Sequence, residues 1–553
     1  MKTSFALLVP VLALGCLLGA CESPPGPSGA TKASARVGSD PSICDYLIRG
    51  ATLHDGTGGP GRISDLAIRG DRIVAIGDLA GFPARVVIEA EGKIVCPGFI
   101  DLHNHGDFPI LLKGLNENLS YVTQGCTTIV TGNCGGGHVD VAPYFRKLQK
   151  QGVGVNVAHL IPAGSLRKRA MGADVDRPPS AQELQRMCDL AAKAMREGAF
   201  GMSTGLIYTP GVFATTEEII EVAKVVGRHG GIYASHIRGE GDHLIEAIDE
   251  AIRIGKQADL PVHISHFKAS TPPNWGKVRQ SSAMVEKAQG QGQRVTADQY
   301  PYRASSTSLG ALVIPAWVRA GTDEQVRARL ADPGLSPRIR SSIAKTYEER
   351  GGADKILIAR YRKNETWNGL TVAQISERTG RSPVDLSVEI QSEGGASAVA
   401  FSMSDDDVRY VMKKTWMATA SDGSAKTKDR SRPHPRSYGT FPRKIGRFAM
   451  REHVIPVEQA IRSSTGLPAD ILGLEHRGHL RVGNFADVLL LDPERFVDHA
   501  TYAEPHRFST GVIRLWVNGQ VVIRDDEPTH VLAGRPIRRQ EAQKSHQARG
   551  SCP

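Results

Sequence analysis

Eight short apolar runs recur between residues 99 and 421, and the segments between them carry helical spacing. The runs are Phe99 to His103, Thr127 to Thr131, Val155 to Leu160, Phe200 to Ser203, Ile232 to His236, Val262 to His266, Val295 to Gln299 and Trp416 to Ser421. Between them, apolar residues fall at intervals of three and four, as in Ile219, Ala223, Val226 and in Leu244, Ile248, Ala251. Ser180 with Glu183, and Thr215 with Glu218, fit capping boxes that start two of these helices. Strand–helix alternation forces a parallel sheet, because each crossover covers a face. Eight such units are the number that closes into a (β/α)8 barrel. The gap between the seventh and eighth runs is long. Residues from about 310 to 400 mix proline, charge and helical patterns, which predicts an inserted lid subdomain.

The flanks have a different period. Residues 43–97 alternate in short apolar bursts such as Tyr46-Leu47-Ile48 and Ile73-Val74-Ala75-Ile76. Residues 476–535 repeat the style, with Asn518-Gly519 between two apolar runs as a hairpin signal. The expected architecture is therefore α/β: a TIM-like barrel over 98–475, a small β-sandwich built from both chain ends, and a tail over 536–553. At the N-terminus, Lys2 precedes an apolar run from Phe5 to Leu18 that is too short to span a membrane comfortably and has signal-peptide anatomy. Leu18-Gly19-Ala20-Cys21 resembles a bacterial lipobox. Cleavage after residue 20 would leave a lipid on Cys21, and the Pro/Gly/Ser-rich stretch up to residue 42 would be a flexible tether. Membrane attachment through that lipid is expected. Glu22 in the second mature position favours the outer membrane of a double-membrane cell.

Cys44, Cys96, Cys126, Cys134, Cys188 and Cys552 show no disulfide-framework spacing. A Cys44–Cys96 bridge is compatible with an oxidising compartment. The formal net charge is +10 with aromatic residues at 6%, and the basic residues are scattered rather than clustered. That pattern excludes nucleic acid as the expected partner. It is compatible with a basic mouth that attracts carboxylates.

Polar residues capable of binding a metal fall at the ends of the apolar runs. His103 and His105 end the first, Cys134 the second, His236 the fifth, His266 the sixth and Asp422 the eighth. In a parallel barrel the C-terminal strand ends share one mouth, so six groups distant in sequence would meet there. The His-x-His pair points both imidazoles to one side of its strand. His263, three residues before His266, is assigned to the opposite face with a structural role, and Cys126 is read as a small buried hydrophobe. His138, His159, His229 and His243 are placed in loops or helices without partners.

These residues resemble the N-acyl-D-amino acid deacylases (D-aminoacylases) of the metal-dependent amidohydrolase superfamily. The matching segments include Cys96-Pro97-Gly98-Phe99-Ile100-Asp101-Leu102-His103-Asn104-His105, Gly132-Asn133-Cys134-Gly135, Ser235-His236-Ile237-Arg238, His263-Ile264-Ser265-His266-Phe267-Lys268 and Ala420-Ser421-Asp422-Gly423. They continue through His434-Pro435-Arg436 to Gly439-Thr440-Phe441-Pro442-Arg443, and the resemblance runs from about residue 44 to 535. It implies one tightly held zinc on Cys134, His236 and His266, and a weaker metal position on His103, His105 and Asp422. Three protein ligands leave zinc a place for water. Asp422 would take the water proton and deliver it to the leaving amine, with His103 assisting. By the same resemblance, Arg436 would pair with the substrate carboxylate, and Tyr208, Lys268 and Ser305 would contact it.

The fourth run ends Gly201-Met202-Ser203-Thr204-Gly205, without the lysine that relatives acting on cyclic imides place there. Linear N-acyl amino acids are therefore the expected substrates. A D-dipeptidase is the alternative on the same scaffold, followed by a cyclic-amide hydrolase and an inactive lipid-anchored binding protein. The segment between Asp422 and Arg436 is longer than the family pattern and carries Lys426, Lys428, Arg430 and Arg432. These cations would favour acidic or larger substrates, or form a solvated loop.

Overall fold

A computed structural model describes residues 43–539. The signal peptide, Cys21 and the tether expected before residue 43 lie outside the described residues, as does most of the tail. Eight parallel strands follow one another in chain order: Phe99–Asp101, Cys126–Thr131, Asn156–His159 continued by Ile161–Pro162, Gly201–Gly205, Ile232–His236, Val262–Ile264, Val295–Gln299 and Met417–Thr419. The third strand joins two ladders, pairing first with the second strand and then with the fourth. Beyond the eighth strand, Asp422 N donates to His103 O at 2.8 Å and His105 N to Gly423 O at 2.7 Å. The ring closes through those bonds. Several strands are shorter than the apolar runs suggested, so His103, His266 and Asp422 lie just beyond the ladders.

Alternation along the strands separates two cores. Ile129, Val157, Met202, Tyr233, Val262 and Val295 face outward and pack under the helices. Val130, Ala158, Ile232, Ala234 and Ala418 face inward. The inner core is sealed by Leu467 and Leu472 of the helix Gly466–Leu472, with Ile537 packed against it. The expected tail is thus partly built into the fold. Arg535 O accepts from Val157 N at 3.0 Å, and Ile537 N donates to Val157 O at 2.8 Å.

Both chain ends build one hydrogen-bonded sheet of nine strands, not two separate sheets. Its central strand Cys44–Leu53 pairs with Arg62–Arg69 on one side. On the other side it pairs with Ala84–Glu89 along its first half and Ile94–Pro97 along its second. The sheet curls on itself. Trp516 lies three strands from Tyr46, about 14 Å in a flat sheet, yet their rings meet edge-on at 5.5 Å. The Asn518-Gly519 hairpin forms with both residues left-handed, at φ 49° and 77°. Cys44 and Cys96 are both free and buried. They sit at opposite ends of the central strand, since Leu53 pairs with Val95. Ten residues of strand separate them by roughly 30 Å, far beyond disulfide reach.

The insertion is wider than its expected 310–400 span. Its three-stranded sheet runs from Ala304–Ser308 to Ser397–Phe401, with Ile356–Arg360 on the far edge. It carries a separate core that includes Leu309, Ile343, Ile375 and Leu386.

Gly534 lies against the third strand of the ring, and a Cβ there would come within 2.0 Å of Val155 O. Gly534→Ala must displace the tail segment and with it Ile537. The expected cost is about 1–3 kcal/mol, read as a lowered midpoint in denaturant unfolding. An unchanged midpoint would show that the tail does not seal the ring.

Candidate metal centre

Three of the residues at the ring's mouth are held in a backbone conformation that side chains disfavour. Cys134, His266 and Asp422 have φ of 52°, 36° and 50°. Each such residue costs of order 1–3 kcal/mol and persists only where its surroundings fix it. The turn at Ser265–His266 explains why strand alternation fails between His263 and His266. His263 does not point to the opposite face. Its neighbours Val262 and Ile264 pack outward, and its own ring enters the ring interior, where Nε2 lies 2.9 Å from Asp298 Oδ2.

The six residues expected at the mouth do converge. Cys134 Sγ lies 3.2 Å from His103 Nε2, 3.6 Å from His236 Nδ1 and 3.9 Å from His266 Nε2. His266 Nε2 and His236 Nδ1 are 2.7 Å apart. His105 Nε2 lies 3.0 Å from Asp422 Oδ1, and His103 Nε2 lies 3.5 Å from the same oxygen. Three overlapping donor sets result among the described residues: His103–His105–Cys134, Cys134–His236–His266 and His103–His266–Asp422. Burial alone would raise the Cys134 pKa, but the imidazoles of His103, His105 and His236 hold it well below the usual thiol range.

Asp298 and Glu240, which the sequence reading passed over, orient these ligands. Asp298 Oδ2 sits 3.3 Å from His103 Nδ1, and its Oδ1 accepts from His266 N at 2.7 Å. Glu240 Oε1 is 2.9 Å from His266 Nδ1 and accepts from Lys268 Nζ at 2.5 Å. With a carboxylate behind Nδ1, His103 and His266 both present Nε2 to the centre. Burial opposes ionisation of both acids. His103 and His263 nevertheless hold Asp298 well below the carboxylate range, and Lys268 and His266 do so for Glu240. The signal for Asp298 was present in the sequence: Thr296 and Asp298 alternate with the outward Val295 and Ala297 near the end of an apolar strand.

Arg436 is buried and donates through Nη1 to Asp422 Oδ2 at 2.7 Å and through Nη2 to Ser306 O at 3.2 Å. Its guanidinium lies over the Tyr300 ring. Burial would raise the Asp422 pKa, but Arg436 first and His103 next hold it well below the carboxylate range. Tyr208 stands edge-on to His236 at 4.9 Å, and its hydroxyl accepts from Thr307 Oγ1 at 3.2 Å. Ser305 shares a strand face with Thr307 and so looks the same way. Lys268 is spent on Glu240 and His266 O. His138 and His159 have partners after all. His159 bonds Thr131 Oγ1 and His138 O, and His138 stacks on Tyr144.

The donor set fits zinc. A thiolate and two imidazoles are its preferred ligands, and tetrahedral bonds of about 2.0–2.3 Å put neighbouring donors roughly 3.3–3.7 Å apart, close to the spacings around Cys134. Nε2 of His236 is buried with no hydrogen-bond partner among the described residues, so this ring is not committed to a structural network.

A model of the amidohydrolase family matches residues 86–523. The chain is 36% identical to the D-aminoacylase of Alcaligenes xylosoxydans xylosoxydans, over 91% of this chain and 99% of that protein. It is 35% identical to an N-acyl-D-glutamate deacylase of the same organism, over 90% and 96%. Among solved structures, the N-acyl-D-glutamate deacylase of Bordetella bronchiseptica, complexed with zinc and a phosphonate inhibitor, superposes with a TM-score of 0.77. That structure is 33% identical, with 90% of this chain and all of that one covered.

Asp298→Ala removes the shared support of His103, His263 and the His266 backbone. Zinc affinity should fall about 10–100-fold, measured by competition with a chromophoric chelator. Unchanged affinity would mean that the ligands are positioned without Asp298.

Proposed function

The chain belongs to the amidohydrolase family, and from that membership we propose that it is a zinc-dependent deacylase of N-acyl-D-amino acids, releasing a carboxylate and a free D-amino acid. The observation that carries this reading is the meeting of Cys134, His236 and His266 beside Asp422. Cys134, His236 and His266 would hold the tight metal, and His103, His105 and Asp422 a weaker one. When bound, zinc supplies Lewis acidity toward a carbonyl oxygen and toward water.

The protein's own groups account for the remaining steps. Arg436 binds the substrate carboxylate, with Tyr208 and Ser305 on the adjoining wall. Lys268, held against Glu240, supports His266 more than it reaches for substrate. A carboxylate arriving at Arg436 competes with Asp422 for the guanidinium and so releases Asp422 Oδ2. Asp422, kept ionised and within reach of His103 and His105, accepts a proton from water and returns it to the leaving nitrogen.

We further read the closed ring as a (β/α)8 barrel and the segment around 304–401 as its lid. The mature protein would be carried on the cell envelope by a lipid on Cys21, in a double-membrane cell on the periplasmic face of the outer membrane.

The test is a panel of N-acetyl-D- and N-acetyl-L-amino acids, D-dipeptides and hydantoins, assayed with and without a chelator. Chelator-sensitive acetate release from the D substrates is expected. Turnover confined to hydantoins or to L substrates would overturn the reading, and turnover confined to D-dipeptides would move it to a D-peptidase. Asp422→Asn should lower kcat by roughly 10²–10⁴-fold while the protein still binds zinc at the Cys134 position. Near-normal turnover would remove Asp422 from its role.

A further inference from the structure

Large apolar side chains that reach solvent are unevenly spread over the molecule. Among the described residues there are ten, and four of them, Phe108, Leu112, Val531 and Leu532, fall on two segments that touch. His530 Nδ1 lies 2.6 Å from Glu117 Oε2. Gly152 joins the segments a second time. Its carbonyl accepts from Asn116 Nδ2 at 3.1 Å, and a Cβ on it would come within 3.0 Å of the Leu532 side chain. A single exposed apolar residue is ordinary, whereas a cluster of them marks a surface that meets something.

These side chains are not on loose ends. Phe108 and Leu112, 59% and 58% exposed, flank the turn Pro109–Leu111, whose Ile110 is fully buried. Ile110 O accepts from Gln151 Nε2 at 2.6 Å, and Leu112 O accepts from Leu115 N and Asn116 N. The Phe108 ring leans on His138 at 4.6 Å, and His138 stacks on Tyr144. The fold therefore braces a turn that holds two large apolar tips outward.

Cations gather beside them, although they are scattered in the sequence. Lys113 follows Leu112. The helix Val141–Gln151 turns Val141, Tyr144, Phe145 and Leu148 inward and exposes Arg146, Lys147 and Lys150. Its last turn is the one that meets Ile110 O and leads into Gly152. Lys113, Arg146, Lys147 and Lys150 have no ion-pair partner among the described residues. Lys147 also shares the walls of a cleft of about 420 Å³ with Phe108, Lys168 and Arg169. The acids on these segments are already answered, Glu117 by His530, and Asp140 by Arg169 and Lys193. An exposed lysine by itself says nothing. Unpaired cations beside clustered apolar tips describe a surface that meets headgroup charge and hydrocarbon together. A partner that offered acidity alone would leave Phe108 and Leu112 in water. Among the described residues no helix is long and apolar enough to cross a bilayer, so the contact is with its surface.

We propose that this face docks the protein on an anionic lipid bilayer, with Phe108 and Leu112 entering the interfacial layer and Lys113, Arg146, Lys147 and Lys150 meeting the headgroups. Phe108 follows His105 by three residues, a chain path of at most about 11 Å, so the docked face lies beside the mouth of the ring. The docking requires neither a lipid on Cys21 nor the deacylase reading.

The test uses the full chain carrying Cys21→Ser, so that no lipid adds to the binding and every variant shares the same N-terminus. Co-sedimentation is measured with vesicles of phosphatidylcholine alone and of a three-to-one mixture with phosphatidylglycerol. The mixed vesicles should bind about 10-fold or more tightly than the neutral ones, and added salt should weaken the binding. Phe108→Ser with Leu112→Ser should weaken it about 10-fold or more, and so should the joint change of Lys113, Arg146, Lys147 and Lys150 to Gln. Val86→Ser with Val87→Ser, an exposed apolar pair on the strand Ala84–Glu89, should stay within about twofold. The altered side chains are exposed, so the denaturant midpoint should hold, and Leu112→Ser alone repeats the test without touching the His138 stack. Equal binding to both vesicles, no binding to the mixed ones, or serine variants that bind as the native protein does would overturn the proposal. Poly-glutamate bound as tightly as the mixed vesicles would give the face to an acidic polymer and overturn it as well.

Discussion

A thiolate and four imidazoles, with a carboxylate beside them, are packed into the mouth of a closed ring of strands, with His105 and Cys134 part-exposed and the others buried. With the thiol ionised and the imidazoles neutral, lone pairs 2.7–3.9 Å apart repel one another until a cation lies between them. The rest of the molecule is arranged around that constraint. Three ligands are bent into left-handed backbone, and two carboxylates stand behind the rings. At the opposite end the inner core of the ring is capped by Leu467 and Leu472, with Ile537 packed against it. The strain at Cys134, His266 and Asp422 is retained because neighbouring bonds over-determine it, such as Asp298 Oδ1 to the His266 backbone.

Charge is balanced in layers. Asp298 faces His103 and His263, Glu240 faces Lys268 and His266, and Asp422 faces Arg436. A buried pair is strongly destabilised by removing one partner alone, so these carboxylates are conditions for the ligands rather than ornaments to them. Under the proposed function Arg436 is the exception, because a substrate carboxylate would take the place of Asp422 on it. The insertion sheet reaches the same guanidinium through Ser306 O, which makes the insertion part of the site's wall.

Much of this was readable in the chain. Cys134, His236, His266 and Asp422 announced themselves because each closes an apolar run, and parallel strands bring such ends together. Asp298 was legible in principle, as an inward residue of the seventh strand, but one carboxylate in an apolar run carries no partner label. His263 was misassigned because alternation was carried across a turn where the backbone goes left-handed. The curled sheet was mistaken for two sheets because local periodicity says nothing of which strand a strand will pair with. The Cys44–Cys96 bridge failed for the same reason, since the register between their strands is a tertiary fact. Glu240 sits in a loop, where no period marks it.

The central claim is that sulfur from Cys134 and nitrogens from His236 and His266 share one cation. Zinc K-edge X-ray absorption on the purified protein measures this directly. One sulfur at about 2.3 Å with nitrogen or oxygen neighbours at about 2.0–2.1 Å is the predicted shell, with the sulfur lost in Cys134→Ala. A shell of nitrogen and oxygen alone in the native protein would contradict the account.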